Sequence, residues 1–477
     1  MGVGKSFQVI NAAQILYEQR AINRVIIIAP ASVKPVWFDP EMGELSKFLW
    51  VDTPSLVSEF HSKITQWNWG AVVDPRLRWV ISNYEFIRKE DRLNQLLPYA
   101  TPKTLLVLDE SSAIKSDRTE QYKSCSKLRK RCGRIVILNG TPIANSPMDM
   151  YSQGEILSPE ILTVKNFFHF RARYAVVGGF QQRQIIAYQN LEDLQQRFKP
   201  HVIRRLKKDC LDLPPVLPAV TLTVALTPAT WRIYREVRDE MVSWLTSTTV
   251  SVTQQAIIKS IRLAQICSGF LGGVVEEVTD INEFGEDIVE TTALEVQEVG
   301  REKLDFLMEW HREQLIVDPN LKLLVWSRFI PELKRYLREV QKTFPDHAIG
   351  CVAGKALLGM KKDEERHIAM RLLDPRTAPP GPVTVGGTLG TGSLGHNFTS
   401  CHTTISMSSD FSLWKKLQAD ARVDRPGQVH AVSNFDIVAT GPDGQKTIDH
   451  HIVKARRSKE DVANWTTAAW VRALTEE

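Results

Sequence analysis

Four short apolar runs, separated by amphipathic stretches, constrain the fold of this chain more than any other feature. Each is as long as a typical strand and is rich in Val, Ile and Leu: Arg24–Pro30, Trp79–Ser82, Thr104–Leu108 and Arg134–Leu138. Strands that are apolar on both faces and alternate with helices form parallel sheets with helices packed on both sides. The first part of the chain is therefore predicted to form an α/β lobe around a parallel sheet.

A second block with the same alternation begins near Lys303. Its apolar runs are Lys322–Ser327, Ile349–Val352, Val383–Val385 and Thr403–Met407. Between the blocks, residues 230–269 have a mostly helical pattern. Residues 272–300 follow with nine acidic residues and no Lys or Arg, as expected of a solvated linker or hairpin.

These blocks predict the domain organisation. A chain of 477 residues is too long for a single core. We predict an N-terminal lobe at 1–215 with a helical insertion at about 150–200, a helical segment and acidic linker at 216–300, and a C-terminal lobe at 301–477. The fold class is α/β, with two parallel-sheet lobes and helical insertions.

A phosphate-binding pattern opens the chain. Gly2, Gly4, Lys5 and Ser6 form Gly-x-Gly-Lys-Ser, and apolar residues at helical spacing follow. In such loops backbone N–H groups surround phosphate oxygens, the lysine reaches the terminal phosphates and the hydroxyl binds Mg²⁺. The complete pattern needs one more residue before Met1 and a strand before that, so we expect the chain to be truncated within the loop. The alternative is a glycine-rich helix start with a chance lysine.

Two adjacent carboxylates, Asp109 and Glu110, follow the third apolar run. Hydrolysis of a nucleotide needs one carboxylate to hold Mg²⁺ and one to orient the attacking water. Asp109 suits the first role and Glu110 the second. An Asp-Glu pair after a strand is common by chance, but its combination with the phosphate-binding pattern is a strong signal.

Near the C-terminus, Arg422 and Arg425 are spaced to share one helical face, with Gln418 one turn earlier. Two guanidinium groups held together are costly unless an anion lies between them, and a nucleotide phosphate would supply that anion. The alternative is a solvated basic face paired with Asp420 and Asp424.

Taken in order, these motifs resemble those of the Swi/Snf-type ATPases, double-stranded-DNA translocases of helicase superfamily two. The first-lobe motifs are Gly2–Ser6, Ala29–Ser32, Ser82–Glu85, Asp109–Ser112 and Leu138–Pro142. The later segments are Val202–Pro215, Leu263–Ser268, Arg301–Asp305, Gly392–Thr399, Ser409–Gln428 and Lys446–Ile452. The resemblance covers essentially the whole chain.

The resemblance implies two RecA-like lobes with ATP and Mg²⁺ between them and duplex DNA on the opposite face. It assigns catalysis to Glu110, Gln418, Arg422 and Arg425, metal binding to Ser6 and Asp109, and nucleotide binding to Gly2, Gly4, Lys5, Ser6, Gly392 and Gly395. By position in the motifs, the candidate DNA contacts are Ser32, Asn83, Tyr84, Ser327, Thr391 and Thr399.

The chain departs from the family pattern in two motifs besides the truncated loop. Ser112 stands where the second motif usually has a histidine, and Asp424 replaces a histidine common between the two arginines. Both differences put details of the coupling between ATP and DNA in doubt.

Composition agrees with such a protein. A net charge of +5 permits a nucleic-acid partner, and six scattered cysteines without C-x-x-C spacing argue against a zinc site or a disulfide framework. The chain has no apolar run long enough to span a membrane and no signal peptide, so we expect it in the cytoplasm or nucleoid. We also expect it to be a monomer. A bacterial or viral source is favoured.

The predicted function is ATP-dependent translocation along duplex DNA, with a DNA-bound protein as a further target of remodelling. Two alternatives remain open. One is a strand-separating helicase of the same superfamily, and the other is a DNA-binding fragment that does not hydrolyse ATP.

Overall fold

The computed structural model describes most of the chain, and its described ranges are 3–31, 33–40, 43–60, 75–140, 146–178, 184–205, 207–247, 252–281, 287–390, 397–410 and 413–457. The chain divides into two compact units between Leu211 and Asp212. Within the described ranges, no helix is both long enough and apolar enough to cross a membrane.

The apolar runs of the first unit form a parallel sheet of five strands. Its strands are β1 Arg24–Ala29, β2 Ser55–Glu59, β3 Leu77–Asn83, β4 Thr104–Leu108 and β5 Arg134–Ile137. Their order across the sheet is β2-β3-β1-β4-β5, and every adjacent pair is parallel. Ile28 of β1 aligns with Ser82 on one side and Leu108 on the other, so the residues that follow β1, β3 and β4 meet at one edge.

Helices cover both faces of this sheet. They are α1 Lys5–Glu18, α2 Lys34–Phe38, α3 Glu44–Phe48, α4 Tyr84–Ile87, α5 Glu90–Leu96 and α6 Glu120–Arg129. Val25 and Ile27 of β1 pack with residues of α1, α2 and α3, whereas Ile26 and Ile28 pack with residues of α4, α5 and α6. The unbroken apolar sequence of β1 is explained by burial on both faces.

The region after the sheet is mainly helical and also contains a two-stranded antiparallel hairpin. Its elements are α7 Met150–Leu157, α8 Pro159–Leu162, α9 Phe167–Tyr174, β6 Ala175–Gly178, β7 Gln184–Tyr188, α10 Leu191–Phe198 and α11 Lys207–Cys210. Phe170, Tyr174 and Phe198 are buried in a small core of their own.

The second unit is built on a parallel sheet of six strands. They are β8 Val220–Ala225, β11 Lys322–Ser327, β12 Ala348–Val352, β13 Val383–Thr388, β14 Thr403–Ser406 and β15 Ser433–Thr440, in the order β12-β13-β11-β14-β15-β8. An antiparallel hairpin in the same unit consists of β9 Phe270–Ile281 and β10 Asp287–Glu298. The two parallel sheets confirm the predicted α/β fold class.

The helices of the second unit are α12 Pro228–Ser247, α13 Val252–Cys267, α14 Glu302–Val317, α15 Ile330–Thr343, α16 Lys362–Leu373 and α17 Leu413–Asp420, with residues 448–457 also helical. Trp326 of β11 is fully buried and lies beside Gly387 of β13. A Cβ atom at Gly387 would come within 2.4 Å of the indole ring, so glycine is required there.

The boundary differs from the predicted division at residue 215. Residues 216–300 belong to the second unit, where β8 pairs with β15 as the edge strand of the sheet. Within the described ranges, the acidic residues at 272–300 lie on the paired strands β9 and β10, and a hairpin was one of the two forms considered from the sequence.

Candidate functional site

The predicted phosphate-binding loop leads into the start of α1. Gly4 has φ +79°, a left-handed conformation that glycine adopts without strain. Lys5 and Ser6 follow in the first turn of the 14-residue helix and are partly exposed. The first-turn N–H groups of a helix have no partner within it, so they favour an anion at this end. Gly2 lies outside the described residues.

Asp109 lies directly after β4 and is only 7% exposed. Its two carboxylate oxygens accept hydrogen bonds from different donors: Trp37 Nε1 donates to Oδ2 at 2.9 Å, and the backbone N–H of Glu110 donates to Oδ1 at 2.9 Å. The hydroxyl of Tyr84 donates to the backbone oxygen of Asp109, also at 2.9 Å. The carboxylate is therefore fixed in orientation.

The charge of Asp109 is set by burial and by its neighbours. Desolvation, followed by the negative charge of Glu110, raises the pKa of Asp109 to about 6. The hydrogen bond from Trp37 and the positive charge of Lys5 oppose that rise. The structure therefore brings Lys5 and Asp109, two of the predicted site residues, within electrostatic reach of each other.

Glu110 has φ +49°, a conformation uncommon for residues other than glycine. It stands at the start of a 3₁₀ turn, Ser111–Ile114, and is partly exposed. A strained residue between the metal-binding candidate and this turn is typical of functional sites, where the surrounding structure maintains the strain. Ser112, at the position where the family usually has histidine, is partly exposed and donates weakly to the Glu110 carbonyl at 3.4 Å.

A buried polar network connects this turn to the end of β5. Ser111 Oγ donates to Gln153 Oε1 at 2.7 Å, and Asn139 Nδ2 donates to Ser111 Oγ at 3.1 Å. Gln153 is on α7 and also donates to the Asp149 carbonyl at 2.8 Å. The sequence analysis singled out the segments of Ser111 and Asn139 but missed Gln153, which a position inside a helix does not mark as functional.

In the second unit, the predicted helical placement of the arginines is wrong. Helix α17 ends at Asp420, and Arg422 and Arg425 lie in the turns that follow. Pro426 disfavours helical backbone at the residue before it, and Gly427 has φ +101°. The turn at Arg425–Gly427 is therefore non-helical, and of the three predicted residues only Gln418 lies in a helix.

The two arginines are nevertheless held firmly. Arg422 is 4% exposed. The half-buried Arg425 donates from Nε to the Ala421 carbonyl at 2.8 Å. A buried arginine is inconsistent with the alternative of a fully solvated basic face. Gln418 is also buried, at 1% exposure.

Buried ion pairs that the sequence analysis missed surround this segment. Lys416 pairs with Asp420 at 2.7 Å on α17. Burial raises the pKa of Asp420, and the charge of Lys416 opposes that rise. Arg456 pairs with Asp436 of β15 and donates to Ser409 Oγ at 2.9 Å. Lys416 and Asp420 are one helical turn apart, whereas Asp436 and Arg456 are 20 residues apart, so no local pattern indicates the second pair.

Three of the predicted DNA contacts are buried, which corrects their assignment. Tyr84 is 1% exposed, Ser327 is 0% exposed and Thr399 is 3% exposed. Tyr84 donates to Asp109, and Ser327 donates to the carboxylate of Glu332. Tyr84 and Ser327 thus bond to neighbouring segments, and burial keeps all three side chains away from a ligand on the surface.

The remaining DNA candidate with a described position is Asn83, which is partly exposed and caps α4 by accepting from the Phe86 N–H at 2.7 Å. The predicted residues outside the described ranges, besides Gly2, are Ser32, Thr391, Gly392 and Gly395.

Curated relatives match most of this chain at low identity. An uncharacterised ATP-dependent helicase of Mycoplasma pneumoniae is 22% identical over 98% of this chain and 39% of the relative. The CHD3-type chromatin-remodeling factor CHR7 of Arabidopsis thaliana is 23% identical over 96% of this chain and 34% of the relative. The chain thus spans between a third and two fifths of the length of these two proteins.

Among solved structures, this chain is similar to the Sulfolobus solfataricus SWI2/SNF2 ATPase core in complex with dsDNA. The match covers 92% of this chain and 82% of the Sulfolobus chain. The identity is 20% and the TM-score is 0.38, so the fold assignment rests on the two sheets described above and not on this likeness.

The family model of the SNF2-related domain matches residues 1–269. This match covers more than half of the 477 residues and includes α1, Asp109 and Glu110. The chain therefore belongs to the SNF2-related domain family.

Proposed function

We propose that this chain is a DNA-dependent ATPase that uses ATP hydrolysis to move along duplex DNA. The observation that carries the proposal is the state of Asp109: a buried carboxylate at the end of a parallel strand, fixed by two N–H donors and within electrostatic reach of Lys5. Ligands of open α/β sheets bind at this edge, beyond the carboxyl ends of the strands.

The donor groups fit Mg²⁺ and a nucleotide. Magnesium in such sites takes one or two protein oxygens and completes its shell with phosphates and water. Asp109 supplies a fixed carboxylate, and Ser6 supplies a partly exposed hydroxyl. The described residues contain no cluster of three or more His, Cys, Asp or Glu side chains suited to a metal. The described residues thus contain no metal site built from protein ligands alone. A magnesium–nucleotide site does not require one, because phosphates and water supply most of the ligands.

The candidate residues of the first unit bind phosphate, hold the metal or activate water in this proposal. Lys5 binds the terminal phosphates, aided by the backbone N–H groups at Gly2 and Gly4. Ser6 and Asp109 hold Mg²⁺, which would neutralise phosphate charge when bound. Glu110, partly exposed beside Asp109, orients the attacking water and accepts its proton.

The second unit contributes positive charge to the same reaction. Arg422 and Arg425 stabilise the negative charge that develops on the transferred phosphoryl group, and Gln418 supports them from α17. Gly392 and Gly395 allow close approach of backbone to phosphate. Alternating engagement and release of these arginines during turnover would drive movement along the DNA.

Duplex DNA is the proposed polymer. Family membership and the positive net charge of +5 support a nucleic-acid partner. Contacts through phosphates would make binding largely independent of sequence and sensitive to salt. A DNA-bound protein displaced by the moving chain is the proposed remodelling target.

The test is the steady-state rate of ATP hydrolysis without DNA, with single strands and with duplex of equal length. We expect the largest stimulation with duplex and a steep decline of that stimulation as salt rises. The Lys5→Ala variant, measured in parallel, reports any contaminating ATPase. Stimulation by single strands alone would instead indicate a strand-separating helicase. DNA binding without hydrolysis above the Lys5→Ala background would indicate a non-hydrolysing DNA-binding fragment.

A further inference from the structure

The carboxylate of Asp109 receives a hydrogen bond from a residue outside the motifs that carry the proposed chemistry. Trp37 lies on α2, is 1% exposed and packs in the core between α1 and the sheet. Its Nε1 is 2.9 Å from Asp109 Oδ2, a distance at which the N–H donates a hydrogen bond. The opposite oxygen, Oδ1, is held by the Glu110 backbone N–H.

Other tryptophans show that burial of an indole does not require a carboxylate partner. Trp79 is fully buried in the same sheet, and its Nε1 donates to the neutral hydroxyl of Ser55 at 3.4 Å. Trp326 is also fully buried, and its Nε1 has no hydrogen-bond partner within the described part of the chain. The short bond from Trp37 to a buried carboxylate is therefore a specific arrangement, and bonds to ionised acceptors are stronger than neutral ones.

Two contacts, one at the start of α2 and one just before it, hold this helix in place. Lys34, the first residue of α2, forms an ion pair with Glu59 of β2. The N–H of Ala31 donates to Glu85 Oε2 at 3.1 Å, which ties the loop to α4. The indole N–H is thus presented to Asp109 by a segment anchored to two other elements, with little freedom to relocate.

We infer that Trp37 is a positioning residue for the metal: its indole N–H holds the Asp109 carboxylate in the orientation in which it would ligate Mg²⁺ or a water bound to that ion. Neutral donors suit this task because they fix the oxygens and leave the negative charge available to the cation. Partners that orient a ligand in this way are worth about 10- to 100-fold in metal affinity. This inference rests on the proposed function, because it assumes that Asp109 is a metal ligand.

The test is the affinity for Mn²⁺, a paramagnetic substitute for Mg²⁺, measured on the full chain in the presence of ADP. Binding is followed by the decrease of the electron paramagnetic resonance signal of free Mn²⁺. Trp37→Phe removes the N–H and keeps an aromatic ring in the core. We expect it to weaken Mn²⁺ binding by about 10- to 100-fold, with ADP affinity in the absence of metal unchanged. Trp79→Phe is the matched control, since it makes the same change at a buried position of the same hydrophobic core, and it should change Mn²⁺ affinity far less.

Replacing Trp37 with 3-benzothienylalanine gives a second variant, in which sulfur takes the place of the N–H and ring size is kept. It separates loss of the hydrogen bond from loss of packing, and it should weaken Mn²⁺ binding as Trp37→Phe does. Equal Mn²⁺ affinity in the parent chain and this variant would overturn the inference and leave the proposed function intact. If the parent chain bound no Mn²⁺ with ADP while remaining folded, the proposed function would fail, and the inference with it.

Discussion

At the scale of single residues, the two adjacent carboxylates differ in their surroundings. Asp109 is buried and holds hydrogen bonds at both oxygens, whereas Glu110 is partly exposed and has a left-handed backbone. One carboxylate is therefore fixed, and the other is accessible to water. This difference supports different roles in the proposed hydrolysis, although the side chains are adjacent in sequence.

Isosteric amides test these roles separately. Glu110→Gln should retain binding of ATP and Mg²⁺ and lower turnover by about 10²- to 10⁴-fold, because it removes the base and preserves shape. Asp109→Asn should instead weaken Mg²⁺-dependent nucleotide binding. Nucleotide affinity by calorimetry and turnover by phosphate release distinguish the two effects.

Glu90→Gln makes the same change at an exposed carboxylate of the first unit that pairs with Lys127, and it should leave both measurements unaltered. Parental turnover in Glu110→Gln and parental affinity in Asp109→Asn would reduce the pair to an acidic turn at a strand end.

At the scale of elements, the packing of α14 against α15 contains a histidine that is held neutral. His311 of α14 is fully buried and lies 3.1 Å from the hydroxyl of Tyr336 on α15 through its Nδ1. Its Nε2 has no hydrogen-bond partner within the described ranges. Desolvation, aided by the neighbouring His347, lowers the pKa of His311 to about 3.

This lowered pKa makes the stability of the second unit depend on pH. An unfolded chain protonates His311 near pH 6.5, whereas the folded chain resists protonation to about pH 3. Stability from this residue is therefore complete above pH 6.5 and lost progressively as pH falls below it, by about 2 kcal/mol at pH 5. His347 has a pKa lowered by burial, so it contributes in the same direction.

Thermal unfolding followed between pH 5 and 8 measures this dependence. His311→Gln should flatten the curve between pH 5 and 7, because the amide does not titrate and can keep a hydrogen bond to Tyr336. The matched variant His367→Gln alters an exposed histidine of α16 and should unfold with the parental pH profile. An unchanged slope in His311→Gln would show that other groups cause the acid sensitivity.

The elements themselves could be predicted where the local sequence decides them. All eight apolar runs form strands, because burial on both faces demands continuous apolar sequence. Strand β8 was missed because it is a largely exposed edge strand, defined by its pairing with β15. Strand β15 was missed because it carries Asp436, whose burial is possible only through its pairing with Arg456.

The candidate site, like the elements, was predictable only where local sequence decides it. Motif spacing selected Lys5, Asp109 and Glu110 as candidates, because their residue types and spacing are local features of the sequence. It did not identify Trp37, because a tryptophan in a short helix is most often a core residue and only the folded chain shows its N–H at a carboxylate. Position within motifs likewise did not reveal that Tyr84 points inward, since exposure depends on tertiary packing.

At the scale of the whole molecule, the proposed mechanism requires both units to act on one phosphate. Lys5 belongs to the first unit and Arg425 to the second. Arg425→Ala should leave ATP affinity largely unchanged and lower turnover by about a thousandfold or more, as expected when an arginine that stabilises the transition state is lost. Lys5→Ala should lower both affinity and turnover, because it removes a contact made in the ground state as well.

The double variant is the decisive measurement. Residues that stabilise one transition state have strongly non-additive effects, so Lys5→Ala combined with Arg425→Ala should lower turnover far less than the product of the single effects. Arg338→Ala, which removes an exposed arginine of α15 in the second unit, controls for general loss of positive charge and should combine additively with Lys5→Ala. Full additivity of Arg425→Ala with Lys5→Ala, or near-parental turnover in Arg425→Ala alone, would mean that the second unit does not complete the ATP site. In that case hydrolysis would be a property of the first unit, and the proposed movement along DNA would lose its physical basis.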